Sequence, residues 1–202
     1  QRQMCIRDSE SIPQLSKDEI LAMCDMSYAD RAFEVFSRLL TDFTADEIRH
    51  CVDSAYNDKN FDSNNIAELA KLIPGTYVLE LWHGPTCAFK DMALQILPYL
   101  LTTSAKKTVD GKQIAILVAT SGDTGKAALA GYAGLPGIEI EVFYPNAGTS
   151  EIQRLQMATQ AGDNVSVYAV NGNFDDAQTG VKRVFGCLLY TSPSPRDRSV
   201  SR

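Results

Sequence analysis

The stretch Gln113-Ile114-Ala115-Ile116-Leu117-Val118-Ala119-Thr120-Ser121-Gly122-Asp123-Thr124-Gly125-Lys126-Ala127-Ala128-Leu129 decides the fold. Gln113–Ala119 reads as one continuous, mostly apolar strand rich in Ile and Val. A strand without polar alternation belongs in a sheet covered on both faces. A small turn of glycines and hydroxyls follows, and the residues from Thr124 to Ala133 then read as helix. Strand, tight turn and helix in that order form the repeating unit of a parallel α/β sheet.

The same unit recurs on both sides. Tyr77–Trp82 is a strand candidate followed by a helical run from Phe89 to about Leu101, with Pro98 expected to kink that helix or mark its last turns. Ile138–Tyr144 precedes a helix over Ser150–Ala161, and Val165–Val170 precedes one over Phe174–Phe185. The expected fold is α/β, with a doubly wound, mostly parallel sheet and ligands at the carboxyl ends of its strands. Upstream, Glu10 to about Lys71 reads as helical. Apolar residues at Ala32, Phe33, Val35, Phe36, Leu39 and Leu40 keep a helical period, and Thr44 with Glu47 forms a capping box. A short helix is expected over Asn64–Lys71. The division is thus a helical N-terminal region over 10–75, serving as a cover or accessory unit, and an α/β domain over 76–186.

The two ends stand apart. Met4-Cys5-Ile6-Arg7-Asp8-Ser9 can be encoded by a string whose reverse complement, in another frame, encodes Cys187-Leu188-Leu189-Tyr190-Thr191. Such an inverted repeat resembles sequencing adapter read through as coding sequence, and Ser192-Pro193-Ser194-Pro195-Arg196-Asp197 continues it. Residues 1–9 and 187–202 are therefore set outside the fold, expected to be disordered, and the rest is expected to be a piece of a longer protein. Removing their five arginines and two aspartates leaves 14 basic and 23 acidic residues, more acidic than the net charge of -6 for the whole chain.

That charge argues against a nucleic-acid surface, which needs a basic patch. No stretch approaches the roughly 20 apolar residues of a membrane helix. Cys5, Cys24, Cys51, Cys87 and Cys187 show neither metal spacing nor a disulfide framework, and only His50 and His83 accompany them. A metal site is not expected; a reducing cytoplasm is.

Two segments carry chemistry. In His83-Gly84-Pro85-Thr86-Cys87-Ala88-Phe89-Lys90-Asp91, Lys90 lies in the first turn of a helix. A cation there opposes the helix dipole, so helix stability does not explain it. Partial burial by Phe89, Cys87 and Met92 would favour the neutral amine that attacks a carbonyl. The alternative is a solvated lysine paired with Asp91 or another carboxylate, Asp91 being a local helix-start residue. Ser121-Gly122-Asp123-Thr124-Gly125 has the parts of an anion nest: two glycines, two hydroxyls and a helix N-terminus. It lacks the ending of a Walker loop and the spacing of a dinucleotide fingerprint. The alternative is an ordinary turn capped by Ser121 or Asp123. Asn171-Gly172-Asn173-Phe174-Asp175-Asp176 is a weaker candidate, equally a plain turn with Asn173 as cap.

Taken together, these two segments resemble the threonine synthase family, pyridoxal-phosphate enzymes of the fold type shared with cysteine synthase and the serine/threonine dehydratases. Ser150-Glu151-Ile152-Gln153-Arg154-Leu155-Gln156-Met157 and Asn173-Phe174-Asp175-Asp176-Ala177-Gln178 resemble it too. The resemblance implies pyridoxal 5'-phosphate as cofactor, held covalently by Lys90, with Asp123 beside its ring. It implies O-phosphohomoserine as small-molecule substrate, met by Ser121, Gly122, Asp123, Thr124, Gly125 and Thr86, with threonine and phosphate as products. Sister enzymes carry Asn where this chain has Asp123, so Asp123 is expected to be protonated, with a raised pKa when cofactor is bound, or turned to amides and Thr124. The family's loop for the cofactor phosphate, and its partner for the pyridine nitrogen, are not found before Cys187, so this chain alone is expected to be inactive. A dehydratase-like or other β-replacing enzyme, and a non-catalytic binder of phospho-amino acids, are the alternatives. The oligomeric state is left open.

Overall fold

The computed structural model describes residues 14–108 and 112–191. Three helices open it, each started by a side-chain cap. Ser16 and Glu19 form a capping box before α1 (Lys17–Ala22), and Ser27 caps α2 (Tyr28–Leu39). Thr44 and Glu47 form the expected capping box before α3 (Ala45–Ala55), the Glu47 carboxylate accepting the Thr44 N–H at 2.7 Å. Helices α2 and α3 pack around Ile48, Cys51, Val52, Ala55 and Phe61, a cluster that reaches forward to Ile96.

The helical region ends sooner than its composition predicts. Glu68–Ile73 is a strand, β1, not a helix over Asn64–Lys71, and it pairs antiparallel with β2 (Thr76–Glu80). Gly75, at φ +80°, makes the turn between them, a conformation that glycine adopts without steric cost. The expected strand at Tyr77–Trp82 therefore belongs to this hairpin and not to the parallel sheet. Ile66, at φ +62°, turns the chain toward the strand just before it.

Beyond the hairpin, the single helix expected from Phe89 to Leu101 is two. Helix α4 spans Asp91–Leu94 and α5 spans Leu97–Thr108. Pro98 lies in the first turn of α5, where its missing N–H breaks no helical bond. It starts a helix; it does not kink one.

The α/β part follows its predicted order. Strands β3 (Ile114–Ala119), β4 (Ile138–Pro145) and β5 (Val165–Val170) form a parallel sheet in the order β3-β4-β5. Helices α6 (Asp123–Tyr132), α7 (Glu151–Ala158) and α8 (Phe174–Thr191) follow the three strands in turn. One face of β4 presents Ile138, Ile140, Val142 and Tyr144 to Ala128, Leu129 and Tyr132 of α6 and to Met157 of α7. The opposite face is less apolar than expected: Glu139 is exposed, and Phe143 stacks on Tyr168 at 5.2 Å. Helix α8 packs on β3 and β4 and shares no residue with the α6 cluster. It runs to Thr191, so residues 187–191, set outside the fold on sequence grounds, continue a helix. Residues 1–9 lie outside the described residues. Among the described residues no helix is long and apolar enough to cross a membrane.

Ile140, on the central strand, has no exposed surface. Ile140→Ala is expected to lower stability by about 2–5 kcal/mol through lost burial and the cavity it leaves, read from urea unfolding. Ile152→Ala, where the side chain is 72% exposed, is expected to change it by less than about 0.5 kcal/mol.

Candidate active site

Between β2 and α4 the chain makes a compact turn whose parts lock one another. The His83 ring lies between two carboxylates, with Nδ1 2.6 Å from Asp62 and Nε2 3.0 Å from Glu80. Its carbonyl also accepts the Asp62 N–H at 3.0 Å. The hydrogen bonds to Glu80 and Asp62 hold the His83 pKa above its ordinary value. A few residues on, Asp91 is fully buried and accepts two hydrogen bonds from Thr86, from N–H at 2.9 Å and from the hydroxyl at 2.7 Å. Gly84 permits this approach: a Cβ there would lie 2.5 Å from the Asp91 Cβ. Cys87, at φ +57°, closes the turn by donating its N–H to the Gly84 carbonyl, at a strain of about 1–2 kcal/mol.

Lys90 stands at the start of α4 with its side chain half-buried. Its burial differs from the expected one, since Cys87 is exposed and Phe89 is 60% exposed. The amine instead lies over the Phe89 ring, 4.8 Å from its centre. It makes no ion pair with Asp91, whose oxygens are taken by Thr86. The reading of Lys90 as a solvated partner of Asp91 therefore fails.

The glycine turn after β3 is held from within. The Thr120 hydroxyl oxygen accepts the N–H groups of Gly122 at 2.9 Å and Gly125 at 3.0 Å. Two amides that a nest would offer an anion are thus already used. Both glycines are required by crowding. A Cβ on Gly122, itself at φ +151°, would meet the Gln153 carboxamide at 2.5 Å, and one on Gly125 would meet the Thr120 methyl at 2.4 Å. Neither Ser121 nor Asp123 caps α6, as the ordinary-turn alternative would have it; Gly122 occupies that position with no side-chain hydrogen bond. Of the first-turn amides, that of Gly125 is met by Thr120, while those of Asp123 and Thr124 have no side-chain acceptor among the described residues.

Asp123 is turned aside to a side-chain amide, that of Gln153, and to Lys126, not to Thr124. Its Oδ1 accepts from Gln153 Nε2 at 2.7 Å and lies 3.3 Å from the Lys126 amine. The Gln153 hydrogen bond, with that of Lys126 and the charges of Lys126 and Lys90, holds its pKa below the usual carboxylate range. The contribution from Lys90 places the two sequence motifs within electrostatic reach.

A cavity of about 840 Å³ joins them, with Lys90 and Thr124 in its wall. Leu69 and Leu79 of the hairpin, Leu81 and Phe89 make it largely apolar, and Arg31 and Tyr28 of α2 close one side. Ser121, Gly122, Asp123 and Gly125 stand behind Thr124 and do not line it. Nor does Thr86: 6% exposed, it has committed its hydroxyl to Asp91 and borders a separate hollow near Lys126. With its hydroxyl donated to Asp91, Thr86 supports the turn that carries Lys90. The Asn171–Asp176 turn shows ordinary reciprocal capping between Asn173 and Asp176. Sequence reasoning missed Thr120, Gln153, Arg31 and the burial of Asp91. Thr120, Asp91 and Gln153 lay inside stretches already singled out, and Arg31 did not.

Thr86→Val keeps the shape but leaves a buried Asp91 oxygen unsatisfied, and is expected to cost about 1–3 kcal/mol in urea unfolding, with Thr86→Ser restoring most of it. For His83, a raised folded pKa means its stabilisation is complete below the unfolded value near about 6.5 and is lost as pH rises through the folded value. The urea midpoint should therefore fall across that window in the wild type, and His83→Gln should remove this part of the pH dependence.

Known proteins resemble this chain over most of its length. The family model described as threonine synthase N terminus matches residues 9–56. The threonine synthase of Schizosaccharomyces pombe is 40% identical over 187 residues, covering 89% of this chain and 36% of that protein. That of Pseudomonas aeruginosa is 38% identical over 177 residues, covering 87% and 37%. The crystal structure of PLP-bound threonine synthase from Brucella melitensis superposes with a TM-score of 0.80 at 33% identity, covering 88% of this chain and 38% of that one. The chain spans a little over a third of the length of these relatives and is similar to threonine synthases along most of its own length.

Proposed function

We propose that this chain carries the lysine-bearing part of an enzyme that converts O-phospho-L-homoserine and water to L-threonine and phosphate, using pyridoxal 5'-phosphate on Lys90. The observation that carries the reading is an amine without a carboxylate partner, in the same apolar cavity wall as the first turn of α6. The residues suit that cofactor on their own chemistry. A primary amine can bind an aldehyde, and leucine and phenylalanine walls suit an aromatic ring. The relatives named threonine synthase, and the Brucella protein crystallised with the cofactor, support the same reading.

When bound, the cofactor supplies an electron sink for the carbanion chemistry. The rest is asked of this chain's own groups. The Lys90 amine would hold the cofactor's aldehyde and would move protons at the α and β carbons of the substrate, and the apolar walls exclude water that would quench such transfers. The start of α6, with Thr124 at the cavity wall, receives the substrate carboxylate. Asp123, tied to Gln153 and Lys126, is kept from opposing an anionic oxygen on the cofactor side. Asp91 and Thr86 hold the turn from which Lys90 projects. The substrate is a small molecule, and the scattered cysteines fit a reducing cytoplasm.

Borohydride reduction after incubation with pyridoxal phosphate is expected to label Lys90, and Lys90→Arg to abolish the label in peptide mass spectrometry. In the protein at its relatives' full length, Lys90→Ala is expected to lower phosphate release from O-phospho-L-homoserine roughly a thousandfold. Label only on other lysines would overturn the assignment, and ammonia release from threonine in place of phosphate release would favour a dehydratase.

A further inference from the structure

The arginines of the N-terminal helices differ in one respect. Arg38 meets Glu34 at 2.8 Å and Glu19 at 3.2 Å, and Arg49 meets Asp30 at 2.9 Å and Asp53 at 3.5 Å. Arg31, half-buried on α2, has no ion pair and no side-chain hydrogen bond among the described residues. Its nearest carboxylates along the helix, Asp30 and Glu34, are held by Arg49 and Arg38. Its side chain lines the cavity that contains Lys90, and among the described residues no acidic one lines that cavity. In a chain of net charge -6, an apolar cavity with two cations and no carboxylate is built to draw an anion. A guanidinium is suited to a tetrahedral dianion, because its planar fork offers paired donors where an ammonium offers a point charge. A cavity of about 840 Å³ has room for a small phosphorylated molecule spanning both groups.

We propose that Arg31 binds the phosphate monoester of the ligand whose reacting end meets Lys90. This rests on the role given to Lys90 above, and it makes the helical region a contributor to specificity rather than a cover. The phosphate could belong to the amino-acid substrate or to the cofactor, and the experiment separates these.

Lys90 labelling is measured by borohydride trapping with pyridoxal phosphate and with pyridoxal, each with O-phospho-L-homoserine or L-homoserine as competitor, in wild type, Arg31→Gln, Arg31→Lys and Arg38→Gln. If Arg31 holds the substrate phosphate, Arg31→Gln weakens protection by O-phospho-L-homoserine about tenfold and leaves L-homoserine unchanged. If it holds the cofactor phosphate, Arg31→Gln raises the half-saturating pyridoxal phosphate about tenfold and leaves pyridoxal unchanged. In either case Arg31→Lys keeps part of the effect, Arg38→Gln matches wild type, and unchanged circular dichroism shows that the variants fold. Equal behaviour of Arg31→Gln and wild type with all four compounds overturns the proposal while leaving the role of Lys90 intact. Absence of label on Lys90 from either aldehyde overturns that role, and the proposal with it.

Discussion

The carboxylate of Asp91 lies wholly out of water and is satisfied by two hydrogen bonds from one residue, Thr86. A buried charge without a counter-ion is tolerable only where fixed donors replace its hydration. Those donors sit on the turn that leads to Lys90, and Asp91 is the next residue after it. The pair therefore sets the path of the chain on both sides of the lysine. Gly84 has no room for a side chain because the carboxylate fills that space, and Cys87 takes a left-handed backbone to bring Ala88 and Phe89 round. The direction in which the amine leaves the main chain depends on this one contact. With Asp91 spoken for, Lys90 stays free of its neighbour.

The glycine turn after β3 is organised by the same economy. Thr120 takes two of its amides, Gln153 fills the space beside Gly122, and Lys126 draws Asp123 away from the cavity. What remains to a ligand is the uncapped start of α6, with Thr124 at the cavity wall. The loop is thus narrower in its binding capacity than its composition suggests, and more rigid. Met157 of α7 and Val142 of β4 back it from below, so its position follows from sheet packing.

The α/β half was legible because burial and local preference agree there. Val165–Val170 has no competing periodicity, and the strand is found at those same residues. Ser150 and Gln153 start α7 with a capping box that needs no distant partner. The hairpin was not legible. Glu68-Leu69-Ala70-Lys71-Leu72 consists of good helix formers, and only pairing with Thr76–Glu80 makes it a strand. Pro98 was read against a single long helix, whereas Gln95 and Ile96 end one helix and Pro98 begins the next. The opposite face of β4, with Glu139 exposed, departs from a sheet covered on both sides because Ile138-Glu139-Ile140-Glu141 alternates.

By itself the amino-acid order determined which residues could be reactive, the alternation of strands and helices, and the family likeness, because these depend on residue type and local spacing. Only the folded chain decided which of those residues share a cavity. Thr86 and Asp91 turned inward on each other, Asp123 turned to Gln153, and Arg31, more than fifty residues before Lys90, came to face the same space. Each outcome rests on contacts between elements far apart in the chain, and short-range spacing carries no record of such contacts.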